Sequence, residues 1–327
     1  MARLRVGLAG AGGVGARHAV TISGLEDVRL VGVTDVDAGR ARALGDQHDA
    51  EVFPDLEALL ADGHLDAIWL CLPPFAHGAP ERAVLEAGLP FFVEKPLAAD
   101  LATAAGIAES VADKGIVTAT GYHWRAMPGV KTAAAILADH PVRLSHASWW
   151  DKVPPVSWWL RRDGSGGQIV EQATHLVDLM RHLVGEPVWV AAHAAADADP
   201  VRDPDLVDTA TAAMLRFDTG SVGTLSSTCL LRRKQAAFLA LIGDGVFVEV
   251  READTLISLG DQVEVVADEG VSKERVDAEF CAAVRSGDPG SVRVPYAEAL
   301  RTHRVGDALD RSVRTGTAVE LGVAVDG

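Results

Sequence analysis

Three polar residues near the middle of the chain have the types and spacing that proton transfer needs. Glu171, His175 and Asp178 lie in Gln168-Ile-Val-Glu-Gln-Ala-Thr-His-Leu-Val-Asp-Leu-Met180. Intervals of four and three put all three on one face of a helix. The other positions, Ile169, Ala173, Leu176, Val177, Leu179 and Met180, are apolar enough to bury it. Polar groups on a buried helix need partners or a task. A histidine accepts a proton near neutral pH, and a carboxylate one turn away orients it and stabilises its charged form. A satisfied structural histidine is the plainer alternative. The Glu–His pair also suits a metal, but no third ligand is in sight and a metal is set aside. A second candidate is Lys95, in Glu94-Lys95-Pro96, at the end of the apolar run Pro90-Phe-Phe-Val-Glu94. An ammonium there can sit beside a ligand oxygen, although a surface lysine next to a loop proline is the bland reading.

The chain also opens on a phosphate-binding pattern. Arg3-Leu-Arg-Val-Gly-Leu-Ala9 reads as a buried strand. It runs into Gly10-Ala-Gly12-Gly-Val-Gly15 and then into a helical stretch, Ala16-Arg-His-Ala-Val-Thr-Ile22. The first glycine permits the turn, the second lets backbone approach a pyrophosphate, and the third lets helix and strand pack closely. The helix N-terminus adds N–H groups and partial positive charge. A second strand, Val28 to Thr34, ends at Asp35, about 20 residues after Gly15, where a ribose-binding carboxylate is expected. A carboxylate accepts hydrogen bonds from a free 2′-hydroxyl and repels a 2′-phosphate, which favours NAD over NADP. Asp37 adds a second acid. Arg40 and Arg42 can in principle hold a phosphate, but belong more naturally on the solvated face of the next helix.

These residues need a scaffold, and the pattern supplies an α/β one. Leu65–Leu72, Pro90–Glu94 and Gly115–Thr120 read as further strands, alternating with helices over Phe53–Ala61, His77–Ala87 and Asp100–Ala112. This rhythm predicts a doubly wound parallel sheet over residues 1–121, a dinucleotide-binding domain. From 122 to 327 the rhythm changes. A helix at Gly129–Asp139 precedes a strand at Arg143–Trp150, and a helix from Gly167 reaches Val184. Strands follow at Val188–Ala195, Thr209–Phe217, Gly220–Leu230, Phe238–Ile242, Phe247–Arg251, Thr255–Leu259 and Gln262–Val266. Direct strand succession with Asp218-Thr-Gly220 and Gly243-Asp-Gly245 turns predicts an α+β domain with an open, mostly antiparallel sheet. Two late helices are expected at Lys273–Ser286 and near 295–315, the last packing back on the N-terminal domain. Ala194–Pro204 reads as a surface loop.

Composition bounds the rest. The 327 residues suffice for two cores. A net charge of −16 argues against nucleic acid or anionic membrane as a partner. No apolar run reaches the roughly 20 residues of a membrane span. Cys71, Cys229 and Cys281 are far apart and fit reduced thiols in a cytoplasm. The basic start Met1-Ala-Arg-Leu-Arg5 faintly suggests a signal peptide, but its removal with the following glycines would destroy the phosphate site.

Taken together, Gly10-x-Gly12-x-x-Gly15, Asp35, Cys71-Leu-Pro-Pro-x-x-His77, Glu94-Lys95-Pro96, Gly121-Tyr-His-Trp-Arg-x-x-Pro128 and the Gly-Gly…Glu171-x-x-x-His175-x-x-Asp178 segment occur in the order seen in the Gfo/Idh/MocA oxidoreductases. The resemblance covers essentially the whole chain. It implies hydride transfer between NAD(P), NAD foremost, and a secondary alcohol or ketone of a sugar, sugar derivative or cyclitol. Two alternatives come with it: glycoside cleavage through transient oxidation by tightly held NAD, or a non-catalytic sensor. The resemblance assigns Lys95, His175 and Glu171 to catalysis. Gly10, Gly12, Gly13, Val14, Gly15, Asp35, Cys71, Pro73, His77, Glu94 and Lys95 would line the cofactor. Tyr122, His123, Trp124, Arg125, Trp158, Trp159, Arg162 and Asp178 would meet the substrate. A homodimer or homotetramer through the C-terminal sheet is implied as well. Where many members have a third glycine and then aspartate, this chain has Gln168 and Glu171, which leaves open whether Glu171 acts directly or only orients His175. Tyr122-His-Trp-Arg125 replaces a Phe-Asn-x-Arg type. Trp124, Trp149, Trp150, Trp158 and Trp159 suit either a platform for sugar C–H faces or ordinary packing.

Overall fold

The computed structural model describes residues 3–196, 203 and 205–322. It divides into two compact units. The first comprises residues 1–98, 102–122 and 273–300, and the second residues 99–101, 123–272 and 301–327. The division runs through two late helices, Val271–Ser286 and Tyr296–Thr315.

The first unit is built on a six-stranded sheet: β1 Leu4–Ala9, β2 Val28–Thr34, β3 Glu51–Val52, β4 Ala67–Leu70, β5 Phe91–Val93 and β6 Thr118–Thr120. Their order is β3-β2-β1-β4-β5-β6, and every neighbouring pair is parallel. Strands β4, β5 and β6 are buried along their whole length, as a sheet covered on both faces requires. The sequences of β4 and β5 are accordingly unbroken apolar runs rather than alternating ones. Strand order reverses between β1 and β4, so a crevice opens at their carboxyl ends, where Gly10 and Cys71 follow. The expected doubly wound sheet is therefore present. The two-residue β3 carries too little pattern to be read from sequence.

The second unit carries a nine-stranded open sheet: β7 Val142–Trp150, β8 Pro187–Ala194, β9 Ala210–Phe217, β10 Val222–Thr228, β11 Ala236–Gly243, β12 Val246–Arg251, β13 Asp254–Leu259, β14 Gln262–Ala267 and β15 Val319–Glu320. The order is β14-β13-β12-β11-β7-β10-β9-β8-β15. All pairs are antiparallel except β7 with β10, in register from Leu144↔Val222 to Trp150↔Thr228. Burial alternates along β9, β10 and β12, marking one face turned to the core. Helix Pro128–Asp139 packs on β12–β14, and helix Thr174–Leu183 on β7 and β11. Leu176, Leu179, Met180, Leu239, Val248 and Leu309 are among the core residues they enclose. A parallel pair needs a crossover. Here the crossover from β7 to β10 contains the segment bearing Glu171, His175 and Asp178. Residues 197–202 and 204, most of the expected Ala194–Pro204 loop, lie outside the described residues.

Candidate active site

In the first unit the glycine-rich turn has the geometry that its spacing implies. Gly10 has φ 100°, and a Cβ there would overlap the Cys71 carbonyl. At Gly15 a Cβ would overlap the Gly10 carbonyl oxygen. These two glycines are dictated by neighbouring backbone. At Gly12 and Gly13 a Cβ would meet no protein atom within 4 Å. Open space at the mouth of helix Gly13–Gly24, with no side-chain cap and no acid in its first turn, fits an anionic group such as a pyrophosphate. Val14 sits in that first turn and is exposed.

Asp35 follows β2 directly. Its Oδ2 accepts from the Ala11 N–H at 2.6 Å, and its Oδ1 from the Asp37 N–H at 2.7 Å. The half-exposed Arg40 also donates to Oδ1, at 2.9 Å. Asp35 thus pins the glycine loop while lying beside it. Arg40, exposed on its helix as expected, also braces this carboxylate. Cys71 follows β4 and donates its N–H to the Ala9 carbonyl at 2.8 Å. Burial pushes its thiol well above the usual range, with Glu94 and Asp277 adding to the effect, which disfavours the thiolate. Pro73 leads into the short turn Pro74–Ala76. The buried His77 then meets Glu81 through Nδ1 at 2.5 Å, and Glu81 accepts from the Gly78 N–H.

Glu94 and Lys95 follow β5 at the same carboxyl edge of the sheet. The Lys95 N–H donates to Glu94 Oε2 at 3.1 Å. Glu94 Oε1 meets His18 Nε2 at 2.9 Å, and His18 Nδ1 meets Asp277 Oδ1 at 2.7 Å. Burial alone would raise the Glu94 carboxyl, but His18 outweighs it and holds the pKa at about 2. Burial likewise opposes charge on His18, yet Asp277 and Glu94 raise it to about 9. Sequence reading passed over both His18 and Asp277. The spacing of Gly15, His18, Ala19 and Ile22 was a usable signal, since it places His18 on the buried side of its helix. Tyr122 ends the 102–122 stretch of this unit and is fully buried.

In the second unit the single helix expected from Gly167 to Val184 is broken. Gln168–Glu171 and Thr174–Leu183 are separate segments. The Gln168 carbonyl accepts from both the Gln172 and the Ala173 N–H, at 2.9 and 3.2 Å, so the ladder slips by one residue there. This overturns the expectation that Glu171, His175 and Asp178 share one helical face. They face different partners. Glu171 accepts from Trp159 Nε1 at 2.7 Å. Asp178 is gripped by Arg125 through Nε–Oδ2 at 2.7 Å and Nη2–Oδ1 at 2.8 Å, with the Thr302 hydroxyl donating at 2.8 Å. Burial nevertheless leaves the Asp178 carboxyl above its usual range.

His175, buried, is enclosed by rings. Trp124 and Trp149 stack on it at centroid distances of 6.0 and 6.2 Å, and His123 meets it edge-on at 4.9 Å. Lys234 lies 4.1 Å above the Trp149 ring. The tryptophans therefore divide. Trp124 and Trp149 frame His175, Trp159 is fully buried with Trp158 packed beside it, and Trp150 bonds Ser226 on β10. Arg162 pairs with Asp208 at 2.5 Å and with Asp310.

Two family models match the chain. One, described as an oxidoreductase family with an NAD-binding Rossmann fold, matches residues 4–122, and a GFO/IDH/MocA C-terminal domain model matches residues 140–249. Similar proteins include the D-xylose 1-dehydrogenase (NADP(+)) 2 of Haloferax volcanii, 26% identical over 96% of this chain and 99% of that protein. The inositol 2-dehydrogenase of Acidothermus cellulolyticus is 29% identical over 97% and 94%. Levoglucosan dehydrogenase, solved with NADH and levoglucosan, aligns with a TM-score of 0.87 over 98% of this chain and 100% of that chain, at 19% identity. At that identity the likeness concerns the fold.

Proposed function

Because the chain belongs to the GFO/IDH/MocA oxidoreductase family, with an NAD-binding Rossmann domain, we propose that it interconverts a secondary alcohol and a ketone on a sugar, sugar derivative or cyclitol. Residues 1–121 serve the cofactor and residues 122–327 the substrate. The observation that carries this reading is the first unit's carboxyl edge. There an open glycine cradle, Asp35 and the Glu94-Lys95 strand end belong to one parallel sheet.

NAD supplies the hydride acceptor or donor. The protein's part is positioning and charge. In the oxidative direction His175 takes the hydroxyl proton, its ring held by Trp124 and Trp149. Lys95 stabilises the developing alkoxide. Glu171 keeps the segment before His175 in place through Trp159. Tyr122, His123, Trp124, Arg125, Trp158, Trp159, Arg162 and Asp178 shape or brace the substrate site, Arg125 and Asp178 as a pair. The substrates named for the relatives, inositol and D-xylose, are the first to try. The outward face of the C-terminal sheet carries exposed Leu144, Met214, Val222 and Ile242, which supports a homodimer or homotetramer formed through it. Cytoplasmic residence agrees with three free cysteines among the described residues.

The test is NADH appearance from NAD⁺ across inositols, aldoses, deoxysugars and glycosides, with NADP⁺ in parallel. His175→Ala should lower turnover about 10²–10⁴-fold with NADH affinity nearly intact. Turnover left unchanged by that substitution removes His175 from the mechanism. Glycoside cleavage without net NADH would move the assignment to transient oxidation, and cofactor binding with silence throughout would favour a sensor.

A further inference from the structure

The buried charge cluster around His18 has no part in the proton and alkoxide chemistry above. Its ring nitrogens each face a carboxylate, Asp277 at 2.7 and 2.9 Å and Glu94 at 2.9 Å. A neutral imidazole has one donor and one lone pair, and would set that lone pair against an acid. The imidazolium donates to both. Trp69 Nε1 also donates to Asp277 Oδ1, at 2.9 Å. Glu94 fills space left by Gly121, where a Cβ would come within 2.5 Å of its carboxylate. The remaining oxygen of Glu94 accepts from the backbone N–H of Lys95.

We propose that His18 is a positioning residue for Lys95: anchored on Asp277, its charged ring fixes the Glu94 carboxylate, and Glu94 fixes the backbone from which the Lys95 ammonium is presented. The inference rests on the assignment of Lys95 to the proposed reaction. Other groups act on the cluster. Arg17 lies 4.0 Å from Glu94, and Lys95 adds its field. The Cys71 and Cys281 thiols nearby are kept neutral by burial, reinforced by the same carboxylates. With burial opposing and the two acids prevailing, His18 titrates at about 9, so the clamp holds at neutral pH and opens in alkali.

The experiment is an NMR titration of the full chain from pH 6 to 10.5, labelled in histidine rings and lysine amides, with and without NADH. The His18 ring should titrate near 9, and the Lys95 amide should move with the same midpoint. Asp277→Asn removes a charge while keeping the shape, and it acts at the ring nitrogen of His18 that does not face Glu94. Both midpoints should then fall together by about one pH unit or more. A His18 midpoint near the ordinary 6.5, a Lys95 amide indifferent to it, or midpoints that part company in the variant would overturn the proposal. Should Asp277→Asn not fold, coincidence of the wild-type midpoints decides alone. Failure of the functional reading shows separately, as a Lys95→Ala variant with unaltered NADH formation, and leaves these midpoints untouched.

Discussion

Arg125 and Asp178 can be separated by a single substitution, and the structure sets the cost. The guanidinium and carboxylate form two parallel contacts at 2.7 and 2.8 Å, with side chains 6% and 1% exposed. At about 3 Å and an effective dielectric of about 20, their attraction is on the order of 5 kcal/mol. Desolvation of the two ions takes much of that back, so the pair as a whole adds little. Removing one partner is different. In Arg125→Ala the carboxylate keeps the Thr302 hydroxyl and the more distant field of Arg181, and stays buried. The expected loss is about 3–5 kcal/mol, or roughly 6–20 °C in Tm. Because burial already raises the Asp178 carboxyl, loss of Arg125 raises it further. A carboxyl whose folded-state pKa exceeds its unfolded value costs stability only once the pH passes the unfolded value, and costs most above the folded value. The deficit should therefore be smaller at pH 5 than at pH 8. Adding Asp178→Asn should recover much of it by removing the stranded charge. Urea unfolding of wild type, Arg125→Ala, Asp178→Asn and the double variant at both pH values is the assay. A single variant within about 1 kcal/mol of wild type, or a double variant no better than the single, would refute the reasoning.

The remaining predictions concern the first unit. His18, raised from 6.5 to about 9, adds stability that is complete below 6.5 and lost as pH rises through 9. Glu94, lowered from 4.5 to about 2, adds stability that is present above 4.5 and lost as pH falls toward 2. In denaturant melts His18→Gln should cost on the order of 3 kcal/mol at pH 6 and clearly less at pH 10, and a pH-independent difference would contradict this. Gly15→Ala should lower both stability and NADH affinity, because its Cβ meets the Gly10 carbonyl. Gly12→Ala should spare stability to within about 1 kcal/mol yet weaken NADH at least about tenfold, since its Cβ enters open space. Melting curves alongside fluorescence titration separate the two, and equal behaviour in both assays would count against a cradle at Gly12. Asp35→Ser should weaken NADH binding by about 10–100-fold, the worth of a charge-assisted hydrogen bond, and shift preference toward NADPH. An unchanged NADH/NADPH ratio in competitive titration would remove Asp35 from selectivity.

Legibility followed the range of the forces involved. The glycine turn was readable because its constraints lie within a few residues and one neighbouring strand. Parallel strands such as β4 and β5 were readable because full burial forces continuous apolar runs, and the antiparallel sheet because strand follows strand directly across tight turns. The break at Gln172 and Ala173 was not, since neither residue is a punctuator and the slip comes from a shared Gln168 carbonyl. Nor was the parallel pairing of β7 with β10, which depends on where the chain returns after β8 and β9. The His18–Asp277 contact spans 259 residues, and neither partner announces the other.

That span bears on how the molecule is made. Synthesis runs from the N-terminus, and early domains commonly fold while the rest is still being added. Here the strands and helices that bind the cofactor emerge first, carrying His18 and Glu94 toward an interior that lacks Asp277 and the late helix bearing it. Until that helix leaves the ribosome, His18 has only one of its two carboxylates, and Trp69 lacks its Asp277 acceptor and its Phe280 neighbour. A fragment ending at residue 122 should accordingly be a poor substitute for the whole. A segment translated only after residues 123–272 of the second unit completes the first.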